Sequence, residues 1–279
     1  MNLPDGNLSK SFPCSVVLAA HGSLAEENSN DALFELAHQV AASQIFSTVT
    51  PAFLNGQPNI SHVMSSLPAG DLVIIPVMTS DGYYLQNILP GKLAENANFE
   101  SFRIFLTPPL GLHPEIASLV ADRIAVLMQL MQLNSTETTI IIVGHGTRRN
   151  SDSSKSTQQL AARVREHLPA ENIRVAFIDQ DPSMMQVIGE ITTAHMLVVP
   201  FLIARGPHAT VDVPAAFGLP TGPDIEFPLV DLVGNGLIVC DLPVGMYPEM
   251  AELCIELASD QLLGGVPVQL AELAKRKLA

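Results

Sequence analysis

The sequence predicts an α/β protein with two tandem doubly wound parallel-sheet domains related by an internal duplication. Three observations predict this fold: unbroken apolar runs, helix-like segments between those runs, and a repeat of the whole pattern in the second half of the chain. Strands that are buried on both faces have unbroken apolar runs, and strand–helix alternation is typical of parallel sheets covered by helices. The composition agrees, because 47% of the residues are hydrophobic, 15% are charged and the mean hydropathy is +0.29.

The second half shows the expected elements most clearly. Its strand-like runs are apolar and β-branched, whereas its helix-like segments have apolar residues spaced by about 3.6 positions. Four predicted strands cover residues 139–144, 173–178, 195–203 and 236–243. Three predicted helices cover residues 154–168, 183–192 and 247–263. We expect one parallel sheet from these strands, with ligands bound outside the carboxyl ends of the strands.

The first half repeats this pattern with an offset of 124 residues. His145-Gly146 then falls on His21-Gly22, and Pro214 falls on Pro90. Further along the chain the offset becomes 134, because "DLPVGMYPEM" (241–250) matches "TPPLGLHPEI" (107–116). We therefore predict one α/β domain over residues 1–132 and a second over residues 133–279, with extra residues inserted in the second.

The composition excludes several classes of protein. The net charge of −14 argues against nucleic-acid binding, which requires a basic face. The longest apolar run, "MLVVPFLIA", is far shorter than the roughly 18 residues that a membrane helix needs, so no membrane association is expected. The three cysteines are odd in number and have no CxxC spacing, which disfavours a disulfide framework or a metal cluster and favours the cytoplasm.

The basic residues are unevenly distributed. Seven of the 14 lie between residues 148 and 205, next to the second His-Gly motif. A solvated helix face would account for Arg163 and Arg165 but not for Arg148, Arg149 and Arg205, which lie in loops next to strand ends. These three arginines predict an anionic small-molecule ligand.

Three candidate ligand residues follow strand ends in the second half. His145, Asp179 and His208 should meet at one edge of the sheet, and two imidazoles with a carboxylate suit a divalent ion such as cobalt, nickel, iron or zinc. Two alternatives to a metal site stay open. A histidine after a strand can be structural, and His-Gly can be a turn in which the glycine supplies the backbone angle.

The first half keeps only part of this set. At the equivalent positions it has His21, Asn55 and Tyr84, so it lacks both the carboxylate and the second imidazole. We expect metal binding in the second copy alone and a degenerate site in the first.

The motifs "VVLAAHGS", "IIVGHGTR", "VVPFLIARGPHATVDVP" and "PPLGLHP" resemble the class II chelatases, the sirohydrochlorin cobaltochelatase and ferrochelatase family (CbiX-type), in a two-copy form. The resemblance implies a cytoplasmic lyase that inserts a divalent metal, Co²⁺ or Fe²⁺, into sirohydrochlorin without ATP or an organic cofactor, in cobalamin or sirohaem biosynthesis. Ni²⁺ is a further candidate for the metal substrate. It also implies that His145 and His208 bind the metal and act in catalysis. Asp179, at the place where family members often have a glutamate, would be a third ligand.

The resemblance further implies roles for neighbouring residues. Arg148, Arg149 and Arg205 would bind the acidic side chains of the tetrapyrrole, and Asp212 or Asp179 would orient an imidazole. Two fused copies would form a pseudo-dimer, so a monomer is expected.

One departure from the family leaves the function open. In two-copy relatives the working site tends to lie in the first copy, where this chain has Tyr84. Either the active copy has switched or the chemistry has drifted. The alternative is a carrier that binds a tetrapyrrole or a metal without turnover. A nucleotide-binding pair of domains is disfavoured, because the sequence has neither a GxGxxG turn nor a GxxxxGK[ST] loop.

Overall fold

The computed structural model describes residues 11–22, 30–94, 96, 99–147, 152–168 and 172–268. The nine strands of this part of the chain are β1 (Phe12–Ala20), β2 (Phe46–Phe53), β3 (Gly70–Pro76), β4 (Phe102–Leu106), β5 (Thr138–Gly144), β6 (Ile173–Phe177), β7 (His195–Phe201), β8 (Leu229–Val233) and β9 (Gly236–Cys240). The α-helices are α1 (Asp31–Ala42), α2 (Ile60–Ser66), α3 (Leu89–Ala94), α4 (Ile116–Leu130), α5 (Asp152–His167), α6 (Met184–Gly189), α7 (Val213–Ala216) and α8 (Met250–Gly264).

Two short π-helical segments precede α3 and α7. They are the first π turn (Tyr84–Ile88) and the second π turn (His208–Asp212). Among the described residues, none of the helices combines the length and apolarity needed to span a membrane.

The first sheet is parallel and has the strand order β2-β1-β3-β4. Its order reverses between β1 and β3, because the chain moves from β1 to β2 on one side and then crosses to β3 on the other. One face packs on α2, the first π turn and α3, which share a core with Val17, Ile74 and neighbouring residues. Helices α1 and α8 pack against each other in the same compact unit, and α8 also contacts β3 and β4.

The second sheet repeats this arrangement with one additional strand. Its order is β6-β5-β7-β9-β8, in which β5, β6, β7 and β9 are parallel. Strand β5 is buried along its whole length, as its β-branched sequence predicts. The prediction of two tandem doubly wound parallel sheets is therefore confirmed, with one exception. Strand β8 pairs antiparallel with β9 at the edge of the sheet, because the residues inserted in the second copy form a hairpin.

The compact units differ from the two sequence repeats. One unit joins the chain up to Leu110 with the chain from Pro248 onward, and the other spans Gly111–Tyr247. Helix α4 belongs to the first repeat, but it packs against α5 in the second unit. Helix α8 belongs to the second repeat and packs in the first unit. The expected boundary at 132/133 follows the sequence repeat and stays a prediction, whereas each compact unit contains the last helix of the other repeat.

The two exchanged helices present the same apolar pattern. Buried residues of α4 include Ile116, Val120 and Ile124, and α8 buries Met250, Cys254 and Ala258 at the equivalent positions. Each pattern is the i, i+4, i+8 stripe with which a helix covers a sheet. The apolar stripes alone therefore do not determine which helix covers which sheet.

A buried ion pair distinguishes α4 from α8. The Arg123 guanidinium on α4 donates from Nε to Asp241 Oδ2 at 2.9 Å and from Nη2 to Asp241 Oδ1 at 2.8 Å. The Asp241 side chain, just after β9, is 0% exposed, and it also accepts a hydrogen bond of 3.0 Å from the Tyr247 hydroxyl. At an offset of 134, the first unit has Leu257 and Thr107 in place of this arginine and aspartate.

Candidate functional site

The candidate site lies at the carboxyl edge of the second sheet, around the place where the strand order reverses. Strand β5 lies between β6 and β7, and the segments after these three strands carry His145, Asp179 and His208. Open α/β sheets bind ligands at this switch point, because neighbouring loops leave the sheet in opposite directions and open a crevice.

Backbone hydrogen bonds fix His145 directly after β5. Its carbonyl oxygen accepts from the Asp179 N–H at 3.0 Å, and its Nδ1 lies 2.7 Å from the Gly146 carbonyl oxygen. Gly146 has a φ of +69°, and a Cβ added there would lie 2.6 Å from Gln180 Cγ. The glycine therefore supplies both the backbone angle and the space that this turn requires.

The second π turn presents His208 toward His145. The ring centroids are 4.6 Å apart, and the ring planes are nearly perpendicular at 88°. His208 Nδ1 lies 2.6 Å from Asp212 Oδ2, one turn along the same segment. Both imidazole side chains are 42% exposed, so a ligand can reach them.

The partners of the two Nδ1 atoms determine what the rings offer to a ligand. A carbonyl oxygen and an ionised carboxylate only accept hydrogen bonds, so Nδ1 of His145 and of His208 carries the proton. The Nε2 atom of each neutral ring then has a free lone pair. Metal-binding histidines in proteins are commonly held in this way, with the other nitrogen donating to a carbonyl or carboxylate.

Asp179 lies on the Nδ1 side of His145. The distance from its Oδ2 to His145 Nδ1 is 3.6 Å, and its side chain is 55% exposed. Within the described ranges, no group of three or more His, Cys, Asp or Glu side chains is arranged so that it could hold a metal ion. The structure thus gives a pair of imidazoles with two flanking carboxylates. Asp179 lies near one ring, beyond hydrogen-bond distance from Nδ1, and its role as a metal ligand stays a prediction.

Of the three predicted arginines, the structure describes Arg205. Arg148 and Arg149 lie outside the described residues. Arg205 precedes the second π turn, and its guanidinium Nη2 donates to the Ile225 carbonyl oxygen. Its Cζ lies 5.8 Å from the centroid of the Phe227 ring, so in this structure the guanidinium contacts its own chain.

The first copy keeps the backbone of this site without its carboxylates. His21 Nδ1 lies 2.7 Å from the Gly22 carbonyl oxygen, and the Asn55 N–H donates to the His21 carbonyl oxygen at 2.8 Å. Tyr84 occupies the place of His208, with its ring centroid 3.9 Å from that of His21. At the position of Asp212 the first copy has Ile88.

Sequence reasoning missed Gln180. Its Oε1 accepts a hydrogen bond of 2.9 Å from the Thr147 N–H, which ties the segment after His145 to the segment that carries Asp179. A comparison of the two copies could have pointed to this residue. Gln180 has Gly56 as its counterpart in the first copy, so only the second copy has a polar side chain at this position.

Comparison with known proteins identifies the family of this chain. A protein of Halobacterium salinarum named probable sirohydrochlorin cobaltochelatase is 24% identical over 274 residues, which cover 91% of this chain and 92% of that protein. Among solved structures, CbiX described as the terminal enzyme for biosynthesis of siroheme in denitrifying bacteria covers 89% of this chain and 98% of its own, with a TM-score of 0.67 and 20% identity.

SirB from Bacillus subtilis has the same fold. Its structure with Fe³⁺ has a TM-score of 0.70 and 14% identity, and covers 92% of this chain and 100% of its own. The structure of the sirohydrochlorin chelatase SirB in complex with cobalt, from subspecies spizizenii, has a TM-score of 0.65 and 15% identity over the same shares of the two chains. The sequence profile of the CbiX family matches residues 15–127 and again residues 139–261. This chain therefore belongs to the CbiX family, with one copy of the family domain in each half.

Proposed function

We propose that this protein inserts a divalent metal ion, Co²⁺ or Fe²⁺, into sirohydrochlorin without ATP, as a cytoplasmic, monomeric lyase of cobalamin or sirohaem biosynthesis. One observation carries the proposal: His145 and His208 face each other with ring centroids 4.6 Å apart, and both Nδ1 atoms are held by acceptors. The names of the relatives support the substrate, and those relatives include a probable cobaltochelatase and SirB solved with iron and with cobalt.

The two imidazoles would first hold the metal. Nitrogen ligands of this kind bind Co²⁺, Fe²⁺ and Ni²⁺, and the cellular supply of metals often decides which is bound. With two protein ligands, the remaining coordination positions stay open for water and then for the pyrrole nitrogens. A site that must release its metal to the tetrapyrrole benefits from such incomplete coordination.

Proton transfer would follow as the metal enters the macrocycle. Insertion of one divalent ion releases two protons from the pyrrole nitrogens. An imidazole that has given up its metal has a free Nε2 lone pair and can accept one of these protons near neutral pH. Asp212 stabilises the imidazolium that forms at His208, because its carboxylate stays 2.6 Å from Nδ1. Asp179 would do the same for His145 from its position at 3.6 Å.

The acidic side chains of the tetrapyrrole require cationic partners. We propose Arg148 and Arg149 for this role, because guanidinium groups match the planar geometry of carboxylates. These two residues directly follow the segment of His145 in the sequence. Their counterparts in the first copy are Leu24 and Ala25, which carry no charge, so an anionic substrate would be selected by the second copy.

The proposal is tested by following the absorbance of sirohydrochlorin with Co²⁺, Fe²⁺ and Ni²⁺. We expect the His145→Ala and His208→Ala variants to lose catalysed insertion while keeping their circular dichroism spectra. His21→Ala is the matched control, because it removes the equivalent imidazole from the first copy and should retain activity. Stoichiometric binding without acceleration in the wild type would favour the carrier, and full activity in His208→Ala would show that the assigned site is wrong.

A further inference from the structure

The residues inserted in the second copy include a segment that reaches back to the candidate site. We call Thr221–Pro228 the strap. It lies where the offset between the copies changes from 124 to 134, so the first copy has no complete counterpart. The strap leads from the end of α7 toward β8, and it contacts the chain on both sides of His208.

Contacts on both sides of His208 connect the strap to the chain that carries this histidine. On one side, the Gly222 N–H donates to the Thr210 carbonyl oxygen at 3.0 Å. On the other side, the Arg205 guanidinium donates to the Ile225 carbonyl oxygen and lies against the Phe227 ring at 5.8 Å. A cation over an aromatic face and a charge-assisted hydrogen bond are both favourable, and each is stronger when partly shielded from water.

These contacts bracket His208. Arg205 lies three residues before it and Thr210 two residues after it, so the strap holds the backbone on either side of the imidazole. Between them, the N–H groups of Ala209 and Thr210 both donate to the Gly206 carbonyl oxygen, at 2.9 and 3.0 Å. The first copy has Asp81 in place of Arg205 and Tyr84 in place of His208. The copy that has the second histidine is therefore also the copy that has the arginine.

We propose that Arg205 is a positioning residue, which fixes the strap to the second π turn and thereby holds His208 at the correct distance from His145 for metal binding. The inference rests on the proposed function of the same site. It means that Arg205 affects the binding of the metal even when no tetrapyrrole is present. Outer residues that orient a metal-binding histidine commonly alter metal affinity by about 10–100-fold when they are replaced.

The test measures Co²⁺ binding without tetrapyrrole, by titration of the cobalt absorption bands, alongside the kinetics of insertion. We expect Arg205→Ala to bind Co²⁺ about 10-fold more weakly and to lower kcat. Arg205→Lys should recover most of the affinity, because an ammonium can donate to the Ile225 carbonyl oxygen and lie over the Phe227 ring. Asp81→Ala changes the equivalent position of the first copy and should leave both measurements unchanged.

A second variant weakens the hydrogen bond between Gly222 and Thr210 without changing a charge. Gly222 has a φ of +143°, and a Cβ added there would meet nothing within 4 Å. Gly222→Ala is therefore strained only through its backbone, which weakens the hydrogen bond to Thr210. We expect the same direction of change in Co²⁺ affinity as in Arg205→Ala.

The outcomes separate the two proposals. If Arg205→Ala and Gly222→Ala bind Co²⁺ as tightly as the wild type, the positioning role is wrong. In that case, a raised KM for the tetrapyrrole in Arg205→Ala alone would make Arg205 a direct partner of the substrate carboxylates. If the wild type neither binds Co²⁺ nor accelerates insertion, the proposed function itself fails.

Discussion

Replacement of Arg123 by leucine should destabilise the second compact unit strongly. The guanidinium provides a two-pronged contact to Asp241, whose side chain is completely buried. Removing one partner of such a pair leaves an uncompensated buried charge, which costs about 3–5 kcal/mol. The Tyr247 hydroxyl keeps one hydrogen bond to the carboxylate, so we expect a loss near the lower limit, about 3 kcal/mol.

The first unit provides the matched control for this change. There the equivalent residues are Leu257 and Thr107, so Arg123→Leu/Asp241→Thr copies an existing uncharged pair. Asp241→Thr alone should cost only about 1 kcal/mol, because Arg123 is 33% exposed and can turn toward water. We expect the double variant to be clearly more stable than Arg123→Leu, with a coupling energy of about 2 kcal/mol.

Urea denaturation, followed by circular dichroism, measures the free energy of unfolding of the wild type, the two single variants and the double variant. Thermal unfolding of the same four proteins gives their Tm values. At about 3 °C per kcal/mol for a domain of this size, Arg123→Leu should lower Tm by about 9 °C. An Arg123→Leu variant within about 0.5 kcal/mol of the wild type would refute the reasoning, because a buried carboxylate cannot lose its cation at so small a cost.

Three further predictions concern the site and the buried thiols. Asp212→Asn should weaken Co²⁺ binding about 10-fold, because the amide supports the His208 ring less strongly than a carboxylate does; cobalt titration measures this. Gly146→Ala should lower the unfolding free energy by about 1–3 kcal/mol, since its Cβ would meet Gln180 at a positive φ; urea denaturation measures it. Burial raises the pKa of the Cys14 thiol from 9.0 to about 11, with the Asp71 charge adding to the effect. The unfolded chain therefore loses this proton first, and stability should fall between pH 9 and pH 11.

Each of these predictions has a control. Asp260→Asn removes an exposed carboxylate from α8 and should bind Co²⁺ like the wild type; equal weakening in both variants would contradict the role of Asp212. Gly189→Ala, in α6, would place a Cβ with nothing within 4 Å, so a loss as large as that of Gly146→Ala would refute the steric argument. A Cys14→Ala variant should show a shallower decline of stability with pH, and an identical decline would exclude this thiol as a cause.

Much of the fold could be predicted from local sequence patterns. Strand β5 is a β-branched run that the structure buries completely, and the helices between the strands have the expected apolar period. The edge at which His145 and His208 meet follows from topology, because residues after parallel strands lie at the same end of the sheet. The contact between His208 and Asp212 joins residues four apart in sequence, but its detail depends on a π turn that the apolar period does not indicate.

The remaining features depend on contacts that no local pattern reveals. Strand β8 is exposed at four of its five positions, and its signal was the Gly234-Asn235 turn, which favours a hairpin but has no counterpart in the first copy. The helix exchange could not be predicted, because α4 and α8 carry the same apolar stripe. The residues that distinguish the helices, Arg123 and Asp241, are 118 positions apart.

The exchange of α4 and α8 has a consequence for the order in which the protein folds during translation. The ribosome delivers the strands of the first sheet early, but the helix that completes this unit is synthesised only with residues 250–264. Helix α4, by contrast, emerges before the sheet that it will cover. One apolar face of the first sheet therefore stays incompletely covered from the synthesis of β4 until α8 has been synthesised. Nascent chains arrested before α8 should consequently depend on chaperones more strongly than chains arrested after it.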